Sequence, residues 1–126
     1  MEILIALEDA FEFNEIKNNI KELIPDALCV NQYLVDAGSW FISKEPQYTF
    51  IDASKYFDDA FDLLRLTKET NAGHGKTIIV LNADDKFKKR CTNGEISPDF
   101  WGEKPCNDDF LKTVFGLKKE KKKKSA

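Results

Sequence analysis

Histidine occurs once and cysteine three times in the 126 residues, and Cys29, Cys91 and Cys106 stand apart with no CxxC spacing. A disulfide framework and a zinc site both need paired or clustered ligands, so the pattern argues against both, and a reducing compartment is expected. His74, flanked by Gly73 and Gly75, has no companion ligands and is expected to be exposed and inert. No apolar run approaches the roughly 20 residues of a membrane span. The opening residues Met1 to Asp9 lack the basic start and long apolar stretch of a signal peptide. A cytoplasmic protein with no membrane span is therefore expected. Gly73 to Thr77 echo a phosphate loop only faintly, because the GxxxxGK spacing is missing and a strand-like run follows where a helix is required.

What is present is a chain of ordinary globular composition, 42% hydrophobic and 12% aromatic, which argues for a folded protein. Its length suits one domain with a proper core. The net charge of -3 hides an asymmetry, since Lys118 to Ala126 hold six lysines against one glutamate. Residues 118–126 are expected to be a disordered, solvated tail, leaving 1–117 as the domain. An acidic body of this kind disfavours direct nucleic-acid binding, although the lysines could touch an anionic surface weakly.

Short apolar runs alternate with helical patterns. Ile3 to Leu7, Tyr48 to Ile51 and Thr77 to Leu81 are almost continuously apolar, as strands of a parallel sheet are when helices cover both faces. Ala27 to Val30 is a weaker fourth. Phe13, Ile16, Ile20, Leu23 and Ile24 form one helical stripe that Pro25 ends, and Phe57, Ala60, Phe61 and Leu64 form another that the glycines around His74 end. Asn107 suits a helix cap, followed by Asp108 and Asp109 in the first turn and a stripe of Phe110, Val114 and Leu117. Asp36 to Lys44 and Asp84 to Thr92 are less periodic helices, weakened by Gly38 and Gly94. The alternation predicts a doubly wound parallel sheet with right-handed crossovers, whose ligands bind beyond the carboxyl ends of the strands.

The residues at those ends are Glu8 and Asp9, Asp52, Asn82, and Lys104. Carboxylates brought this close repel unless a cation neutralises them, and an all-oxygen donor set suits magnesium. Each acid taken alone equally suits a helix cap, and Lys104 alone equally suits a solvated surface position. Their joint placement at one sheet edge favours a site.

With Leu7-Glu8-Asp9, Pro46 to Asp52, Thr77 to Ala83 and Lys104-Pro105 in this order and spacing, the chain resembles the response-regulator receiver family over nearly all of Glu2 to Leu117. The resemblance implies a flavodoxin-like (CheY-like) five-stranded parallel sheet of order 2-1-3-4-5 with helices on both faces. It implies a single-domain receiver in which Asp52 takes a phosphoryl group from a histidine kinase or phosphotransfer protein, as a phosphoacceptor switch and not a turnover enzyme. Glu8, Asp9, Asp52 and the backbone carbonyl of Ser54 would hold Mg2+, and Lys104 would pair with a phosphoryl oxygen. Lys104 and Pro105 would be joined by a cis peptide bond. Ser54 and Asp84 would tune loss of the phosphoryl group, and Asn82 and Trp101 would take part in switching. Signalling would run through a downstream effector protein, the chain itself being a monomer or weak dimer.

Asn82 departs from the family, which has threonine or serine there; asparagine is longer and has no small hydroxyl to swing. The loop after Asp52 lacks the usual proline and glycine, and Lys55 places a second positive charge near the acids. Trp101 is bulkier than the usual aromatic at its position and equally suits half-buried packing. Two other readings therefore stand beside the first: a phosphorylation-independent pseudo-receiver that binds a partner constitutively, favoured by Asn82, and a magnesium-dependent phosphatase on a similar sheet. Ala53 and Ser54 after Asp52 deny the phosphatase its DxD pattern.

Overall fold

The computed structural model describes residues 1–117; the lysine-rich tail lies outside the described residues. The elements alternate as expected: β1 (Glu2–Ala6), α1 (Ala10–Leu23), β2 (Leu28–Gln32), α2 (Leu34–Lys44), β3 (Tyr48–Asp52), α3 (Phe57–Glu69), a short 3-10 turn (Asn71–Gly73), β4 (Thr77–Leu81), α4 (Asp85–Asn93), β5 (Phe100–Gly102) and α5 (Asp108–Phe115). The five strands are parallel and ordered β2-β1-β3-β4-β5. The fold class and strand order are those the resemblance implied.

The period-two geometry of a strand sorts each apolar run into two layers. Leu4, Ala6, Ile51, Ile78 and Val80 face a core shared with Phe41, Leu64 and Phe87 from α2, α3 and α4. Ile3, Ile5, Phe50, Ile79 and Leu81 face the opposite core with Ile16, Ile20, Leu111 and Val114 from α1 and α5. Both faces being covered, the alternate positions are apolar on either side apart from the buried Thr49 in β3, which is why these strands read as nearly continuous apolar runs.

The less periodic segments differ from expectation in their bounds. α2 begins at Leu34 and not at Asp36, and it carries Gly38 inside it, where a Cβ would stand 3.2 Å from Leu66 Cδ1. β2, an edge strand, runs to Gln32 with Leu28 exposed. β5 is only three residues long and lies flat on α5: a Cβ on Gly102 would fall 2.4 Å from the Phe110 ring, so glycine is what lets strand and helix approach. That approach fixes where the following loop, and with it Lys104, emerges. The asparagine cap of α5 is as expected, Asn107 Oδ1 accepting the Phe110 N–H at 2.8 Å. No helix among the described residues is long and apolar enough to cross a membrane.

Candidate functional site

β3 delivers Asp52 to the carboxyl edge of the sheet, where the ladder with β4 continues one step further through the Ala53 N–H to the Leu81 carbonyl. Asp52 is 3% exposed. A buried carboxylate needs donors, and it has three: Oδ1 accepts the Ser54 N–H at 2.9 Å and the Ser54 hydroxyl at 2.7 Å, and Oδ2 accepts Lys104 Nζ at 3.0 Å. The turn Asp52-Ala53-Ser54 is thus an Asx-type turn whose serine also covers the acid.

Lys104 arrives from the loop after β5, and its peptide bond to Pro105 is cis, as the resemblance implied. Its ammonium donates to Asp52, to Glu12 Oε1 at 2.9 Å and to Ser54 Oγ at 3.2 Å. Burial by itself would push the lysine down. Hydrogen bonds to Glu12 and Asp52, together with their charges, outweigh burial and hold it above its usual value. Lys104 is therefore charged and fixed on Asp52.

Asn82 closes β4 with a left-handed backbone, φ 56°, a conformation asparagine accepts and a β-branched residue strongly resists. Its Oδ1 accepts the Lys104 backbone N–H at 2.8 Å, while its own N–H donates to the Gly102 carbonyl. Asn82 thus grips the loop that carries Lys104. Asn19 of α1 grips the same loop from the other side, donating to the carbonyls of Pro105 and Cys106 at 3.0 and 3.2 Å. Cys106 itself is buried, which pushes its thiol up to about 12 and leaves it a packing residue.

The remaining expected residues are engaged elsewhere. Asp9 caps α1, its Oδ1 accepting the N–H groups of Phe11 and Glu12 at 2.8 and 3.1 Å. The Glu12 N–H chiefly holds it below the usual carboxylate range against the opposing effect of burial, with the Phe11 N–H and the charges of Lys55 and Lys104 lowering it as well. Lys55 thus acts on the acidic edge as expected. Glu8 turns to α2, where its Oε2 accepts the Leu34 N–H at 3.2 Å. Asp84 caps α4 through the Phe87 N–H at 2.9 Å. Trp101 stands 37% exposed, edge-on to Phe87 with Lys88 Nζ 5.5 Å from its ring centre. His74 is exposed.

The oxygen donors expected to hold magnesium, those of Glu8, Asp9, Asp52 and Ser54, suit a hard cation in kind, and in this structure Glu8 and Asp9 each accept helix N–H groups while Asp52 accepts Lys104. Among the described residues no three His, Cys, Asp or Glu side chains are grouped to hold a metal ion. Free helix N–H groups compete for Glu8 and Asp9, and Lys104 occupies the cationic role beside Asp52. Sequence reasoning missed Glu12 and Asn19. The available signal was helical spacing: Glu12 lies one turn after the cap Asp9, and Asn19 two turns beyond Glu12 on the same side of α1.

No protein-family model and no curated protein matches the chain. Solved structures do. The signal receiver domain of a DNA-binding response regulator from Colwellia psychrerythraea 34H aligns with a TM-score of 0.75 at 21% identity, over 92% of this chain and 95% of that one. A response regulator receiver domain from Bermanella marisrubri aligns at 0.69 and 23% identity, over 91% and 94%. The receiver domain of a sensor histidine kinase from Pseudomonas aeruginosa PAO1, which holds a magnesium ion in its active-site cleft, aligns at 0.73 and 16% identity, over 91% and 97%. The fold of this chain is the fold of response-regulator receiver domains.

Proposed function

We propose that the chain is a phosphoacceptor switch in which Asp52 accepts a phosphoryl group from a histidine kinase or phosphotransfer protein and signals to an effector protein by direct contact. The observation that carries this reading is the fixed pairing of a nearly buried Asp52 with Lys104 at 3.0 Å, at the sheet edge where such folds place their chemistry. In the reaction a carboxylate oxygen of Asp52 attacks phosphorus, the new O–P bond forms, and the P–N bond of the donor phosphohistidine breaks with its electron pair passing to the imidazole, which takes up a proton from water. Lys104 is placed to meet the charge on the phosphoryl oxygens. Ser54 holds the attacking carboxylate in one orientation. The chain would work in the cytoplasm as a monomer or weak dimer, without contact to nucleic acid and without turnover of a substrate.

A second reading is favoured by Asn82. Asparagine has no hydroxyl to swing toward a modified Asp52, and its amide oxygen is already bonded to the Lys104 backbone N–H. That supports a pseudo-receiver which binds its partner without phosphorylation.

Intact-mass measurement with acetyl phosphate separates the two. The first reading expects one phosphoryl increment on the wild type and none on Asp52→Asn; an equal increment on the mutant removes Asp52 from its role. The second expects no increment on either. A further arm without Mg2+ reads whether the ion the resemblance implies is required when Lys104 already stands beside the acid.

A further inference from the structure

A lysine ammonium has three N–H donors, and Lys104 uses all three within the chain. Asp52 and Ser54 belong to the phosphoacceptor turn, but the shortest of the three contacts, 2.9 Å, goes to Glu12 in the first turn of α1. Glu12 does not need that contact to stabilise its helix, since an acidic side chain near a helix N-terminus is favourable while fully solvated. Yet the Lys104 side chain is only 9% exposed and Glu12 reaches it from the rim, 31% exposed.

We propose that Glu12 is a positioning residue that restrains Lys104 in the resting protein and so limits how readily Asp52 accepts a phosphoryl group. This inference rests on the function proposed above. For a phosphoryl oxygen to bond to Lys104, one of the three present acceptors must let go, and Glu12 is the one outside the reacting turn. Its carboxylate also adds negative charge to a rim that an incoming phosphate, with up to two negative charges, must cross. Asp9 and Asp52 are there already, against Lys104 and Lys55. Glu12 thus acts on the reaction in two ways of the same sign: it holds a donor the phosphoryl group needs, and it repels the donor molecule.

The test compares the wild type with Glu12→Gln, which keeps the shape and removes the charge, and with Glu15→Gln, which removes a charge from an exposed position on the same helix. With acetyl phosphate as the donor, the carboxylate of Asp52 displaces acetate, which leaves with the bonding electron pair, and the initial rate of mass gain is measured. Glu12→Gln is expected to react about tenfold faster, the size of effect one nearby unit charge produces at a partly screened site, and Glu15→Gln at the wild-type rate. In the resting protein, nitrogen NMR of the Lys104 ammonium should show faster hydrogen exchange in Glu12→Gln, a change that mere loss of a helix-end charge would not cause. A Glu12→Gln rate at or below the wild type, an equal gain in Glu15→Gln, or unchanged ammonium exchange overturns the inference while leaving the proposed function standing. A wild type that takes up no phosphoryl group at all overturns both.

Discussion

Two lysine–aspartate pairs stand at opposite edges of the sheet with almost the same geometry, Lys104–Asp52 at 3.0 Å beyond the strands' carboxyl ends and Lys68–Asp99 at 3.1 Å by their amino ends. Their surroundings differ. The side chains of the first pair are 9% and 4% exposed, those of the second 28% and 40%. Coulomb attraction depends on the medium as much as on distance, so the first pair is committed: without Lys104 the Asp52 charge would sit unneutralised in a nearly buried site, while Lys104 without Asp52 would keep only the Glu12 charge at the rim. The second can dissolve into water at little cost. A further difference lies in what else each acid does. Asp52 is held by Ser54 in a reactive turn, whereas Asp99 accepts the Ile78 N–H of β4 at 2.7 Å and returns its own N–H to the Ile78 carbonyl. Asp99 is a strap that starts the pairing of β5, while Asp52 is a charge kept in place for chemistry.

The comparison breaks most sharply at Lys104. In Lys104→Met the aliphatic stem and its packing are nearly preserved and only the ammonium is lost. Asp52 keeps the two Ser54 donors, so the cost falls below that of a wholly unpaired buried ion, at about 2 kcal/mol in urea unfolding. A cost under about 0.5 kcal/mol, the range of exposed pairs, would show that water reaches Asp52 and that the two edges are alike after all. Asp99→Ala is expected to cost less, about 1–1.5 kcal/mol for the lost bond to the Ile78 N–H. Its signature is local: amide exchange should accelerate in Phe100 to Gly102, the three-residue strand that this strap begins.

The layers of the fold were legible because burial on both faces writes itself into composition. Ile3 to Leu7 and Ile78 to Leu81 have no polar position. β2 was faint for the converse reason: at the edge, Asn31 and Gln32 are tolerated, and Asn31 even donates across to the Ile5 and Leu7 carbonyls. The start of α2 at Leu34 could not be read locally, since its N–H is met by Glu8, far away in sequence. The site divides along the same line. Asp52 and Lys104 were legible from their places at strand ends, whereas the cis bond at Pro105 came only from the resemblance. Glu12 was not, because its contact depends on how α1 and the loop after β5 dock on one another. Glu8, Asp9 and Asp84 were seen as site residues, and each accepts a helix N–H: for Asp9 and Asp84 a local one two or three residues away, which competes well against a distant cluster of like charge, and for Glu8 that of Leu34, far along the chain.

The smallest expected effect is at Lys68, and it is the one that tests whether burial, not proximity, separates the edges. Lys68→Ala removes an ammonium 3.1 Å from a carboxylate, almost the separation of the other pair, for which a cost of kcal/mol size is expected. Here both partners are solvated, the lysine must give up side-chain entropy to hold its pose, and Asp99 keeps its bond to the Ile78 N–H when the lysine is gone. The expected destabilisation is under about 0.5 kcal/mol, and it should shrink further in high salt, as screening weakens what remains of the attraction. A loss as large as that in Lys104→Met, unchanged by salt, would mean that separation alone sets the strength of these pairs. Asp52 would then be held no differently from an exposed surface acid.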